Sequence, residues 1–204
     1  MENIKSHWET VFETKKETEV SWYQQKPELS ISFFVKNSIP KDAKIIDIGG
    51  GDSYLIDNLL ELGYINLFLL DVSENAIERI KKRLGENSER VNFIVANILV
   101  FETDVKFDVW HDRASFHFLT ASKDIQNYKD KLVELTNKKA NLFIGTFSEN
   151  GPKKCSGLNI TQYNESSLTK LFEEDFLLTN SFIENHKTPF DTEQNFIFCN
   201  FKKK

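Results

Sequence analysis

The stretch KIIDIGGGDS, Lys44 to Ser53, decides the fold of this chain. Its apolar run has almost no polar break, which is typical of a strand buried on both faces of a parallel sheet. Three glycines follow at once, and an apolar pattern then resumes at helical spacing. Glycine removes side chains and lets backbone come close to a neighbour. The stretch therefore predicts a strand, a tight loop and a helix, with or without a ligand at the loop.

Apolar runs and amphipathic segments alternate along the rest of the chain. Strands are predicted at 44–48, 65–72, 91–98, 106–112 and 140–147, and helices at 54–62, 73–84, 123–136 and 164–172. Two further apolar runs at the C-terminus lie too close in sequence for a helix between them. The pattern predicts an α/β fold, a doubly wound, mainly parallel Rossmann-like sheet with an antiparallel C-terminal strand pair.

The first 35 residues lack the strand–helix alternation of this core. The segment Ser6–Glu9 has the sequence of a capping box, which predicts a helix beginning at Ser6. A second helix is predicted with Pro27 in its first turn. We expect one domain over residues 1–204, with 1–35 as an N-terminal helical lid segment and 36–204 as the Rossmann-like core.

Composition excludes several classes of partner. The formal net charge of −5 does not fit a nucleic-acid-binding surface and disfavours anionic membranes. No apolar run approaches the roughly 20 residues of a membrane helix, and no signal peptide is visible. Cys155 and Cys199 are far apart in sequence, which favours free thiols in a reducing compartment. These features predict a cytoplasmic protein.

The glycine loop has an acidic partner on the next strand. Asp71 ends that strand, twenty residues after Gly51, where a carboxylate can bind ribose hydroxyls. A turn without a ligand remains an alternative, although it would not call for a buried carboxylate. A nicotinamide dinucleotide site would have a third glycine where this chain has Tyr54, so such a site is disfavoured. A phosphate-binding P-loop is also disfavoured, because no GK[ST] sequence follows.

These residues resemble the first motif of class I S-adenosylmethionine-dependent methyltransferases, D/E-x-G-x-G-x-G. Asp47, Gly49 and Gly51 match it, and Ser53 replaces the last glycine. The resemblance implies that S-adenosylmethionine is the cofactor and S-adenosylhomocysteine the product. It implies further contacts to the ribose and adenine from a second set of residues: Asp71, Val72, Asn97 and Ile98. Asn97 could instead simply cap a turn.

The stretch VWHDRASFHFL, residues 109–119, follows the fourth predicted strand. In a parallel sheet this end lines the ligand cleft, and the mixture of polar and aromatic residues suits an amphipathic substrate pocket. The alternative is an exposed Asp112–Arg113 ion pair with solvated histidines.

The chain is also similar, over nearly its whole length, to the thiopurine methyltransferase-like branch. The shared elements occur in the same order: HWETVF and SWY near the N-terminus, DRAS at 112–115, GPKKCSG at 151–157 and ENHK at 184–187. The resemblance implies that Trp8, Trp22 and Tyr23 cover the cofactor and that Arg113 lies in the substrate or catalytic region. A plain hydrophobic lid is the alternative for the two tryptophans.

The sequence thus predicts a methyltransferase that acts on a small molecule by in-line displacement. Asp112 is expected near the amino end of the cofactor, and Arg113 is expected to hold an anionic or polar substrate. His117 is one candidate general base, and Asp112, His7 and His186 are others. No metal site is expected. The oligomeric state stays open, with a monomer plausible.

Three alternatives remain. The first is a protein lysine methyltransferase with the same cofactor, and the second is a protein that binds the cofactor without catalysis. The third is a nicotinamide dehydrogenase, which the missing third glycine disfavours.

Overall fold

The computed structural model describes residues 2–204, with side chains described from Ile4 onward. The helices are α1 Glu2–Thr14, α2 Glu28–Lys36, α3 Leu55–Glu61, α4 Glu74–Leu84, α5 Ser122–Leu135 and α6 Glu165–Phe172. The strands are β1 Lys44–Ile48, β2 Asn66–Asp71, β3 Val91–Val95, β4 Phe107–Arg113, β5 Thr136–Phe147, β6 Lys154–Cys155, β7 Leu158–Asn159, β8 Phe176–Lys187 and β9 Glu193–Lys203.

Seven of these strands form one sheet in the order β3-β2-β1-β4-β5-β9-β8. Strands β1 to β5 pair in parallel, whereas β9 pairs antiparallel with both β5 and β8. The predicted fold class is therefore confirmed. The strand order reverses between β1 and β4, and ligands of open α/β sheets bind beyond the carboxyl ends of strands at such a point.

Helices cover both faces of the sheet. One core layer contains α2, α3 and α4 and buries Phe34, Leu59 and Ile80 against the sheet. The opposite layer contains α5 and α6 and buries Leu132 and Phe172. Burial on both faces explains why β1 and β2 read as apolar runs. None of the described helices is both long enough and apolar enough to cross a membrane.

Local signals placed several helix ends correctly. The Ser73 hydroxyl accepts from the Ala76 N–H at the start of α4, and the Asn164 side chain accepts from the Ser167 N–H at the start of α6. Pro27 directly precedes α2. The predicted capping box at Ser6 is wrong, because α1 begins at Glu2 and Ser6 lies inside it. The Glu9 side chain binds elsewhere, as described below.

Strands β3 and β5 and the loop after β5 also differ from the prediction. Strand β5 begins at Thr136 rather than at 140. Strand β3 ends at Val95 rather than at 98, because Asn97 caps a short 3₁₀ turn over Ile98–Val100. The loop after β5 contains the small hairpin β6–β7, which the sequence did not indicate. Ser156 (φ 49°) and Gly157 (φ 80°) form its turn.

Candidate active site

The glycine loop leaves β1 in a left-handed conformation. Gly49 has φ 61° and Gly51 has φ 55°, values that side chains disfavour. A Cβ on Gly49 would lie 2.4 Å from the Ser115 Oγ, and one on Gly51 would lie 2.9 Å from the Phe12 Cζ. The loop backbone is thus approached closely by the segment after β4 and by α1, so a side chain would not fit.

Asp71 faces this loop from the end of β2. Its carboxylate accepts from the Gly51 N–H at 2.9 Å and from the Ser73 N–H at 2.8 Å, one bond to each oxygen. Burial raises the pKa of Asp71 to about 6, although the two backbone bonds oppose the shift. Each carboxylate oxygen keeps further acceptor capacity, which suits the two hydroxyls of a ribose.

Asp47 belongs to a buried polar chain beneath the loop. Its Oδ1 lies 2.7 Å from the His111 Nδ1, and the His111 Nε2 lies 2.8 Å from the Ser30 Oγ. The second oxygen, Oδ2, is buried without a hydrogen-bond partner among the described residues. A Cβ on Gly50 would lie 2.5 Å from that oxygen. A buried acceptor without a partner is costly, so this oxygen is available to a donor brought by a ligand.

Helix α1 lies over the loop and is fixed to α4 by Glu9. The Glu9 carboxylate accepts from the Ser73 Oγ at 2.7 Å, the Glu74 N–H at 2.9 Å and the Asn75 N–H at 3.0 Å. Burial opposes ionisation of Glu9, but these bonds leave its pKa below the usual value. Glu9 therefore caps the N-terminus of α4, directly after the strand that ends with Asp71.

An aromatic cluster joins α1, the segment after it and the segment after β4. We call Trp8, Phe12, Trp22 and Phe118 the aromatic lid. The Trp8 ring lies 5.1 Å from the Phe118 ring and 5.8 Å from the Trp22 ring, both edge to face. Phe12 connects this cluster to Gly51. Trp8 and Trp22, which were both expected to cover the cofactor, thus contact each other beside the loop.

Asp112 is turned into the fold rather than toward solvent. One oxygen accepts from the Ser115 and Phe116 N–H groups, and the other accepts from the Tyr128 hydroxyl at 2.7 Å. Burial raises the pKa of Asp112 to about 6 against these bonds. The alternative of an exposed Asp112–Arg113 ion pair is wrong, because Asp112 is fully buried. Its bonds fix the turn that places Ser115 on Gly49, which favours a positioning role over contact with the cofactor.

Arg113 projects into a cavity of about 580 Å³. Its Nη2 donates to the Trp22 carbonyl at 2.8 Å. Burial lowers the pKa of Arg113 to about 10, and the charge of Asp47 partly opposes this shift. The guanidinium therefore stays protonated at neutral pH. The expectation that Arg113 lies in the substrate region stays a prediction.

His117 lies in the core, against the expectation of a general base. Its Nδ1 accepts from the Phe147 N–H at 3.3 Å, and its ring stacks on the Phe147 ring at 4.6 Å. Burial lowers the pKa of His117 to about 3, so the imidazole takes up a proton very weakly. Its surroundings favour a structural role.

The two other candidate bases also lie away from solvent. The His186 Nε2 donates to the Ser21 carbonyl at 2.7 Å, and its Nδ1 lies 3.2 Å from the Gln24 Nε2. Burial and the nearby charge of Arg113 lower the pKa of His186. His7 is half-buried on α1, with its ring 5.3 Å from that of Trp8. His186 thus ties the β8–β9 hairpin to the segment that carries Trp22.

The residues expected around the adenine follow β2 and β3. Val72 is half-buried beside Asp71, and Ile98 is buried in the core. The Asn97 oxygen accepts from the Leu99 N–H at 2.9 Å, so the alternative prediction of a turn cap is confirmed. A second lone pair of that oxygen stays available for an amine.

The contacts of several site residues were not predicted from the sequence. Ser30 and His111 support Asp47, Glu9 fastens α1, and Ser115 contacts Gly49. His111 stood in the noted stretch after β4, but nothing in that stretch indicated its partner 64 positions earlier. Long-range pairs of this kind have no local sequence signal.

The chemistry of the residues at the carboxyl ends of β1 and β2 suits an S-adenosylmethionine molecule. The glycine loop offers a surface without side chains, Asp71 offers two acceptor oxygens, and Asp47 offers a buried oxygen without a partner. An amino-acid ammonium group and a ribose are the donors that such acceptors select.

Comparisons with known proteins agree with this arrangement. A family profile described as a methyltransferase domain matches residues 39–196. The eEF1A lysine and N-terminal methyltransferase of Mus musculus is 30% identical over 112 residues, which are 53% of this chain and 16% of that protein. The EEF1A lysine methyltransferase 2 of Homo sapiens is 25% identical over 130 residues, 59% of this chain and 55% of that protein. The chain thus spans about half of the human relative and much less of the mouse one.

Solved structures show the same fold over almost the whole chain. The N-methyltransferase NodS from Bradyrhizobium japonicum WM9, in complex with S-adenosylhomocysteine, superimposes with a TM-score of 0.75 at 14% identity. The superposition covers 97% of this chain and 98% of NodS. At this identity the similarity concerns the fold alone.

Proposed function

Because this chain belongs to the methyltransferase domain family, with S-adenosylmethionine as cofactor, we propose that it methylates a small-molecule acceptor. The pairing of Asp71 with the glycine loop at the end of β2 supports the cofactor, and the cavity that Arg113 lines supports the choice of acceptor. A buried carboxylate at this position fits a ribose, because each oxygen keeps acceptor capacity beyond its one backbone bond.

The proposed cofactor contacts divide among three elements. Asp47, Gly49 and Gly51 would line the methionine portion, Asp71 and Val72 the ribose, and Asn97 and Ile98 the adenine. We also propose that residues 1–35 act as a lid on one domain of 204 residues, with Trp8 and Trp22 covering the cofactor. The half-buried aromatic lid beside Gly51 supports this role.

When bound, S-adenosylmethionine supplies an electrophilic methyl group on a sulfonium centre. The residues of the chain need only align the acceptor and exclude water, and alignment alone can supply much of the rate. The aromatic lid would exclude water, and Arg113 would hold the acceptor. Asp112 would act as a positioning residue for Ser115, and we assign His117 a structural role.

A protein lysine methyltransferase is the second candidate. The names of the mouse and human relatives favour it, since both describe methylation of eEF1A lysine. The charge of Arg113 disfavours it, because the cavity already contains a cation. The resemblance to the thiopurine methyltransferase-like branch stays a prediction and favours the small molecule.

A label-transfer experiment separates the two candidates. The protein is incubated with methyl-labelled S-adenosylmethionine and a host lysate, and small molecules are then separated from proteins by ultrafiltration. The filtrate is then resolved by liquid chromatography. We expect a labelled small molecule other than S-adenosylmethionine, above the level given by the lysate alone, and much less of it with Asp71→Ala when the cofactor is below saturation. Label confined to protein bands would support the second candidate and contradict the first.

A further inference from the structure

We propose that the cavity beside Arg113 binds an acceptor that carries an oxyanion, a carboxylate or a phosphate, on an apolar body. This inference rests on the proposed function and names its substrate class. It depends on three features of the cavity: its one interior cation, its aromatic wall and its position next to the glycine loop.

Four chain segments enclose the cavity. The segment before α2 and the start of α2 form one side, Arg113 enters from the end of β4, and the β8–β9 hairpin closes the other side. Tyr23, Leu29, Phe196 and Phe198 supply the apolar surface. Phe196 and Phe198 are buried and stack at 5.7 Å, so this wall is a fixed part of the core.

Arg113 has no carboxylate within ion-pair distance among residues 4–204, unlike the two other half-buried arginines. Arg79 pairs with Asp52 at 3.1 Å, and Arg83 pairs with Asp57 at 2.8 Å. Arg113 makes a single hydrogen bond, to the Trp22 carbonyl. A half-buried guanidinium with one neutral partner keeps most of its donors free, and its planar fork matches an oxyanion.

The other charges around the cavity lie at its rim. Lys26 pairs with Glu28 at 3.0 Å, and Lys187 pairs with Asp191 at 2.9 Å, with all four side chains well exposed. Glu184 is also exposed. Solvent screens such charges, so Arg113 dominates the potential inside the cavity.

The cavity adjoins the proposed cofactor crevice. Arg113 stands two residues before Ser115, whose Oγ lies against Gly49. The Trp22 carbonyl accepts from Arg113, while the Trp22 ring packs in the aromatic lid beside Gly51. An acceptor anchored by Arg113 would therefore lie against the Trp22 segment, next to the methyl donor.

This arrangement selects against a lysine side chain. An ammonium group close to Arg113 would meet a like charge in a partly desolvated site, which is unfavourable. The proposal thus discriminates between the two candidate acceptor classes.

Calorimetry on the protein saturated with S-adenosylhomocysteine tests the proposal with matched probes. The probes are 3-phenylpropanoate, its neutral amide 3-phenylpropanamide, phenyl phosphate and n-butylamine. We expect the better of the two anions to bind at least about tenfold more tightly than the amide, because bonds to charged groups are the stronger ones. The anion that binds more tightly shows whether the charged group of the acceptor is a carboxylate or a phosphate. We expect n-butylamine to bind more weakly than either anion.

Variants assign the preference to Arg113. In Arg113→Met the anion should bind no more tightly than the amide, whereas Arg90→Met, at an exposed arginine outside the cavity, should match the wild type. If Arg113→Met loses S-adenosylhomocysteine binding through misfolding, Arg113→Lys decides. Weaker anion binding in that variant, with unchanged cofactor affinity, supports the guanidinium fork, and unchanged anion binding contradicts it.

Three results would overturn the proposal: no anion preference in the wild type, a preference that survives in Arg113→Met, or tightest binding of n-butylamine. Failure of the wild type to bind S-adenosylhomocysteine would instead contradict the proposed function.

Discussion

Gly49 shows at the scale of one residue why the loop is built from glycine. Its φ of 61° disfavours a side chain, and a Cβ there would lie 2.4 Å from the Ser115 Oγ and 2.6 Å from the Ser115 Cβ. We predict that Gly49→Ala lowers the free energy of unfolding by roughly 2 kcal/mol or more, since the left-handed conformation alone costs about 1 kcal/mol. Urea denaturation measures the change.

Gly63 provides the matched control. It ends α3 with φ 84°, and a Cβ there would have nothing within 4 Å. Gly63→Ala should therefore show only the conformational cost, about 1 kcal/mol. Equal losses in the two variants would mean that Ser115 does not press on Gly49.

His117 links burial to the pH dependence of stability. The unfolded chain takes up a proton near the ordinary histidine pKa of about 6.5, while burial lowers the folded pKa to about 3. The stability that the neutral ring contributes is therefore complete above pH 6.5 and is lost as the pH falls toward 3.

A variant that cannot titrate isolates this contribution. His117→Asn keeps an acceptor for the Phe147 N–H but loses packing, so it should be less stable than the wild type at pH 7. Between pH 7 and pH 5 the difference should shrink by up to about 2 kcal/mol, from 1.36 kcal/mol per pH unit. Parallel stability curves, measured by urea denaturation, would show that His117 is not buried as a neutral ring.

Helix α1 depends on one long-range cap. Glu9→Ala would leave the Glu74 and Asn75 N–H groups of α4 without their acceptor. Losing a cap costs about 1 kcal/mol, so amides of α1 should exchange with solvent about fivefold faster. Hydrogen–deuterium exchange checks this, with α5 as an internal reference.

Glu13→Ala is the control on the same helix, because Glu13 is exposed. It should leave the exchange of α1 unchanged. Similar acceleration in both variants would mean that α1 is held by helix propensity rather than by the Glu9 cap.

The elements show what local sequence can and cannot predict. Strands β1 and β2 and the caps Ser73 and Asn164 followed from runs and residue types, because burial and capping act over a few residues. The Ser6–Glu9 segment has the sequence of a capping box but does not begin the helix. The Glu9 carboxylate instead binds the N-terminus of α4. Strand β3 is shorter than predicted because the Asn97 side chain accepts from the Leu99 N–H, and this turn replaces the end of the strand.

At the scale of the molecule, sheet order brings distant segments to one edge. The sequence predicted the glycine loop and Asp71 as partners, and their contact at 2.9 Å agrees with that expectation. It could not predict that Ser30 and His111 support Asp47, since 81 and 64 positions separate those bonded pairs. The burial of His117 could not be predicted from the sequence either, because it depends on how β5 and β9 pack around this side chain.

The affinity for S-adenosylhomocysteine tests the central claim, that the glycine loop and Asp71 bind the cofactor. Calorimetry compares the wild type with Asp71→Ala and with Asp130→Asn, a change at an exposed position of α5 away from the glycine loop. Asp71→Ala should weaken binding by about tenfold to a hundredfold, the loss expected for bonds to a charged acceptor. Because the pKa of Asp71 is about 6, wild-type affinity should also fall as the pH drops from 7.5 to 5.5. Asp130→Asn should bind like the wild type, whereas undiminished binding by Asp71→Ala would contradict the claim.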